Sequence, residues 1–169
     1  MTRLGTLVQD ALAQLEWAGD LTDDEAAGTS QLQTLITIDD QPCSLYIDTR
    51  EETDFIGVFF YPPFRAKADA YPETCLLINA INSRTRHGHL EVLQHNGRLR
   101  MVVSADVRGA NPTGVFVEHL MRYGADCLLA WMGELAAVAV GHRPAADVLA
   151  ALEQDEASPP ASGAEEAAG

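Results

Sequence analysis

Four groups of side chains in this 169-residue chain have types and spacings that could do chemistry. His87 and His89 flank Gly88, and on a strand they would point to one face. A zinc site needs further ligands, and no cysteine or acid recurs at ligand spacing beside them, so two solvated imidazoles at a strand entry are expected. His119 sits within a long apolar periodicity and reads as a partly buried helix residue rather than a base. Cys43, Cys75 and Cys127 are odd in number, far apart and without a CxxC pair. Each lies among apolar residues, which predicts buried free thiols in a reducing compartment rather than a nucleophile. Asp39, Asp40, Asp48, Glu51, Glu52 and Asp54 cluster about two turns, but they lack the glycine and terminal glutamate of a calcium loop. Turn chemistry accounts for them. No glycine-rich phosphate loop is found. The reading is therefore no catalytic residue, no metal and no cofactor.

Two further groups suit binding rather than reaction. Arg84, Arg86, Arg98 and Arg100 concentrate base in an acidic chain, with Arg98 and Arg100 on one strand face opposite Leu99 and Met101. No aromatic residue interleaves with them in sequence, as single-stranded nucleic acid would require. Pairing with the protein's own acids is one reading, and an acidic or phosphorylated polypeptide is the other. Phe55, Phe59, Phe60, Tyr61 and Phe64 gather in ten positions. Core packing explains one face of that strand; the second face needs a cover, which is either more core or a partner.

The chain carries 25 acids against 11 bases, a formal charge of −14, with a 47% hydrophobic fraction normal for one globular domain. Such a field repels nucleic acid and anionic membrane while keeping an apolar surface soluble. No basic-then-apolar leader is read at the N-terminus, so a cytoplasmic protein is expected.

The elements that must position these residues follow from periodicity. Leu4, Leu7, Val8, Ala11, Leu12 and Leu15 make one helical stripe, with Gly19 as its stop and Asp20 to Ser30 as an acidic loop. Leu32, Thr34, Ile36 and Ile38, then Cys43, Leu45 and Ile47, alternate as a hairpin about Asp39-Asp40-Gln41-Pro42. Phe55 to Tyr61 is apolar on both faces, and its single glycine, Gly57, suggests a bulge or a close approach. Pro72 opens a short helix carrying Leu76, Leu77, Ala80 and Ile81. Leu90 and Val92 turn through His95-Asn96-Gly97 into Leu99, Met101 and Val103, because Asn-Gly tolerates positive φ at both residues. Asn111 before Pro112 is placed to cap a long helix through Val117, Leu120, Met121, Gly124, Leu128, Trp131, Met132, Leu135 and Val138. From Cys127 to Val140 that helix is apolar nearly all round, yet too short and broken to span a membrane. Ala145 to Glu153 forms a last short helix. Residues 154–169 read as a disordered acidic Ala/Pro tail.

This order of elements, with Leu76-Leu77-Ile78-Asn79-Ala80-Ile81-Asn82 entering the His89–Val92 strand, resembles the YbjN-like domain family. The ending is similar too: Gly124-Ala125-Asp126-Cys127, then Gly141-His142-Arg143-Pro144-Ala145-Ala146-Asp147. The resemblance covers residues 1–153 and implies an α+β fold, α-βββ-α-ββ-α, with a five-stranded antiparallel sheet like that of type III secretion chaperones. It implies a regulator or chaperone-like protein without known catalysis, and a homodimer. Asn79 and Asn82 match the family's helix-end pattern, where they would cap backbone at the helix–strand junction.

The expected function is non-enzymatic binding of a protein or peptide partner on an apolar surface. Phe55, Val58, Phe59, Phe60 and Tyr61 are the candidate partner-binding residues, on whichever side faces outward. Leu76, Leu77 and Ile81 are the candidate dimer interface. The alternative is a regulatory or stress-response dimer with no polypeptide client.

Overall fold

In the computed structural model, which describes residues 1–157, six strands form one antiparallel sheet with four helices beside it. The chain runs α1 (Arg3–Leu15), β1 (Leu21–Asp24), β2 (Thr29–Ile38), β3 (Gln41–Arg50), β4 (Phe55–Tyr61), α2 (Tyr71–Asn82), β5 (His89–Val92), β6 (Leu99–Asp106), α3 (Gly114–Ala139) and α4 (Ala145–Ala157). Strand order across the sheet is β1-β2-β3-β4-β6-β5. The α+β class and element order are as expected, with one strand more than the five anticipated.

The extra strand is β1, in the segment read as an acidic loop. Nothing local favours a strand in Leu-Thr-Asp-Asp, since aspartate is depleted in strands. Long-range bonds make it one. The Asp23 carboxylate accepts from Thr2 N–H at 3.0 Å and from the Ser30 hydroxyl at 2.5 Å, and Thr2 and Ser30 hydroxyls meet at 2.6 Å. These bonds hold the Asp23 carboxyl below its usual range, Ser30 contributing most.

Helix ends also differ from expectation in small ways with clear causes. Thr2 caps α1 through a 2.9 Å bond from Gly5 N–H, and the helix stops at Glu16, whose φ of 55° is left-handed, before Gly19 is reached. Thr113, rather than Asn111, caps α3, because its hydroxyl reaches Phe116 N–H. The two-residue turn with positive φ at both positions is Asp39-Asp40 (50° and 57°), not Asn96-Gly97, where only Gly97 is positive at 66°. Gly97 has a second reason to be glycine. An added Cβ would lie 2.4 Å from the Ala66 carbonyl, and Ala66 N–H donates to Gly97 O at 2.8 Å. Helix α4 runs to Ala157, into the segment read as tail; the rest of that segment lies outside the described residues.

Helices α1 and α3 cover one face of the sheet, with α2 against α3 and β5, and α4 against α2. Leu32, Leu45, Ile47, Ile56, Val58, Phe60, Met101 and Val103 point into this layer, where they meet Leu4, Val8, Leu12, Val117, Met121 and Leu128. Gly124 lets α3 come down onto Phe60: a Cβ there would be 2.3 Å from the ring.

Candidate protein-binding face

The opposite face of the sheet has no helix over it among the described residues. Strand alternation divides the aromatic run of β4 between the two sides. Ile56, Val58 and Phe60 are fully buried in the core, whereas Phe55, Phe59 and Tyr61 are half-buried on the outer face. The candidates Val58 and Phe60 are thereby corrected: both are core, because the pleat turns them toward α3. Gly57 is no bulge, since its register runs unbroken between Asp48 and Ser104. It is a close approach instead. The rings of Phe55 and Phe59 fold over it, and a Cβ would lie 2.8 Å from each.

Pairing register extends this face sideways. One row reads Gln33, Tyr46, Phe59, Val102 and His89 across five strands. The next carries Leu35, Ser44 and Tyr61. Tyr46 and Phe59 stack tilted with centroids 5.8 Å apart. Leu35 stands 70% exposed at the end of its row. It does so because β1 pairs with β2 only as far as Leu32, leaving β2 from Gln33 onward paired with β3 alone.

The arginines interleave with these aromatics, which the sequence order conceals. The Arg98 guanidinium lies 4.3 Å from the Tyr61 centroid and that of Arg100 lies 5.2 Å from the Phe59 centroid. Arg100 also donates from Nε to Glu91 Oε2 at 2.6 Å, and Glu91 Oε1 meets His89 Nε2 at 2.8 Å. Burial works against the Glu91 carboxylate, but the His89 and Arg100 hydrogen bonds outweigh it and hold the group below its usual pKa. Arg84 instead donates to Ala80 O at the end of α2, away from this row.

The other sequence candidates do not converge. Leu77 and Ile81 are buried within the chain's own core, which corrects their assignment to a dimer interface; only Leu76, 57% exposed, is on the surface. Cys43 is buried and its thiol is pushed up to about 11 by that burial. Cys75 and Cys127 are half-buried rather than buried, because they sit at the margin of α2 and α3 beside Tyr71 and Tyr123. His119 is exposed, on the solvent side of α3. His87 lies edge-on to Tyr123 at 5.6 Å while His89 engages Glu91, so the two imidazoles form no common site. Asn82, expected to cap backbone, does so: its amide donates to Leu90 O at 3.0 Å and its Oδ1 accepts from Leu90 N–H at 2.7 Å. No helix among the described residues is long and apolar enough to cross a membrane.

A sheet with helices on one face and aromatic and arginine side chains on the other defines an α+β architecture with one open sheet face among the described residues. Residues 5–143 match the YbjN family, described as "Putative bacterial sensory transduction regulator", and the chain belongs to that family. Among solved structures, a chain of the ExsC–ExsE complex is similar at 13% identity and a TM-score of 0.53, covering 80% of this chain and 98% of that one. YbjN from E. coli is similar at 14% identity and a TM-score of 0.48, over 77% of this chain and 92% of that one. No curated protein matches.

Proposed function

We propose that this protein binds a polypeptide partner on the outer face of its sheet, without catalysis, in the manner of a chaperone or adaptor. The observation that carries the reading is the uncovered surface made by Phe55, Phe59, Tyr61 and Tyr46, with Leu35 beside it. These aromatics bring large apolar area at little entropy cost, and the arginines over two of the rings keep that area wettable. In support, a protein of the same fold is solved as one member of a two-protein complex.

The test is crosslinked capture of partners by tagged wild-type protein and by the double variant Phe59→Asp, Tyr61→Asp, each checked for native circular dichroism. The expected result is loss of a specific partner with the fold intact. Should the double variant unfold, Phe59→Ser alone repeats the comparison. Unchanged capture by a folded variant overturns the reading.

A further inference from the structure

We infer that the outer face contains a carboxylate-binding site built around Arg98, and that the polypeptide it accepts is acidic. This rests on the binding face proposed above and names the chemistry of its partner. Four of the chain's eleven bases, Arg50, Arg65, Arg98 and Arg100, lie on this side. Two of them are already neutralised, Arg50 by Asp48 at 3.0 Å and Arg100 by Glu91 at 2.6 Å. Arg98 and Arg65 make no ion pair among the described residues, in a protein that has 25 acids to offer. They are nevertheless fixed opposite each other, as partners in an isolated antiparallel bridge. Like charges placed directly across a ladder destabilise it. An anion seated between them removes that cost.

The backbone segments that carry the pair are tied together. Ala66 N–H donates to Gly97 O at 2.8 Å, and Gly97 is the residue whose Cβ would strike Ala66, so the segment holding Arg65 is locked to the turn preceding Arg98. The Arg98 guanidinium lies over the Tyr61 ring, 4.3 Å from its centroid, a contact that takes up its face and none of its N–H donors. Beside it an open cavity of about 200 Å³ is lined by Gln33, Ser44, Tyr46, Tyr61 and Arg98, with Arg65 outside the lining, across the bridge from Arg98. Every one of those side chains can donate a hydrogen bond, and none is an acid. The Tyr46 phenol is an O–H donor at neutral pH at its ordinary pKa, and burial, with the charge of Asp48 after it, pushes that pKa further up. Neutral donors beside a guanidinium are what a carboxylate requires.

The net charge of −14 opposes an acidic ligand at long range. Screening limits that opposition, because at physiological salt charges act over only about 8 Å. Within that distance the two unneutralised arginines dominate. The surrounding field then acts as a filter: acidic segments bind only where a carboxylate lands on Arg98, not over the surface at large.

The probe is a rhodamine-labelled extended peptide of alternating glutamate and leucine, titrated against the full chain by fluorescence anisotropy. Its glutamine analogue, its phosphoserine analogue and inorganic phosphate are run in parallel. The glutamate peptide should bind about tenfold or more tighter than the glutamine analogue, the size expected for one charge-assisted contact. Arg98→Gln and Arg65→Gln should each erase most of that preference, and Tyr61→Phe, which keeps the ring beneath Arg98, should reduce it less. Arg122→Gln, which lies on α3 and pairs with Glu118, should leave it unchanged. Equal binding of the glutamine analogue, or an equal loss in Arg122→Gln, overturns the carboxylate site while leaving the polypeptide-binding face standing. Binding of the phosphoserine peptide or of phosphate without the glutamate peptide overturns it in favour of a phosphate site. Absence of all peptide binding overturns it as well, and the capture experiment above then decides separately whether the face binds protein.

Discussion

Phe59 and Phe60 are adjacent in sequence and lie on opposite sides of one sheet. Phe60 is fully buried against α3, while Phe59 shares an open face with Tyr46 and Arg100. The inner face is closed by shape: Gly124 exists so that a helix can touch the Phe60 ring. The outer face is organised by charge and ring stacking, interactions that each contribute little and leave the surface accessible. Identical residue types are therefore buried core on one side and accessible surface on the other, and it is the accessible side to which we assign recognition.

The largest effect that would sharpen this contrast is truncation of the two phenylalanines. Phe60→Ala should lose about 3–5 kcal/mol in denaturant unfolding, since it removes a buried ring and leaves a cavity. Phe59→Ala should cost less than about 1 kcal/mol, with its effect appearing in partner capture instead. Similar losses from both would show that the outer face is as structural as the inner one.

A matched glycine pair probes the same difference at smaller scale. Gly124→Ala drives a methyl into the Phe60 ring at a site with no room to yield and should destabilise by about 1–3 kcal/mol. Gly57→Ala meets only the tips of Phe55 and Phe59, which can swing toward solvent. Its thermal midpoint should hold to within the equivalent of about 0.5 kcal/mol. If Gly57→Ala proves the more damaging, the outer rings are locked rather than free to receive a partner.

The smallest effect is electrostatic. Glu91 is held below its usual 4.5 by His89 and Arg100, against the pull of burial. A depressed carboxylate pKa stabilises the fold above the unfolded value and loses that contribution as pH falls through the folded one. Glu91→Gln should therefore be less stable than wild type by about 0.2–1 kcal/mol at neutral pH, as expected for a partly exposed pair. The two proteins should converge in urea midpoint below the carboxylate range. A difference that persists at low pH would assign the loss to packing rather than to charge.

Much of the fold was legible because its signals are local. The period of two in Leu32–Ile38 and Cys43–Ile47, and the helical stripe of Leu4–Leu15, each report burial within a few residues. Strand β1 was not legible, because it depends on Thr2 and Ser30 reaching Asp23. The candidate face was half legible. Alternation says that Phe55, Phe59 and Tyr61 share one side and Val58 and Phe60 the other, but not which side a helix covers. The placing of Arg98, just before β6, on Tyr61 and of Arg100 on Phe59 joins this part of the chain to β4 across some forty positions, beyond the reach of any local pattern.

The sequence by itself determined the α+β class, the main hairpin partners, the long apolar helix and the concentration of aromatics and arginines in two short runs. It did so because side-chain period and turn chemistry are properties of neighbouring residues. Only the tertiary structure decided that α1 and α3 cover the Phe60 side, that Leu77 and Ile81 belong to the core, and that aromatics and arginines form one surface. Those outcomes depend on which distant elements meet, and free energy of that kind is settled by the packing of the whole chain rather than by any segment of it.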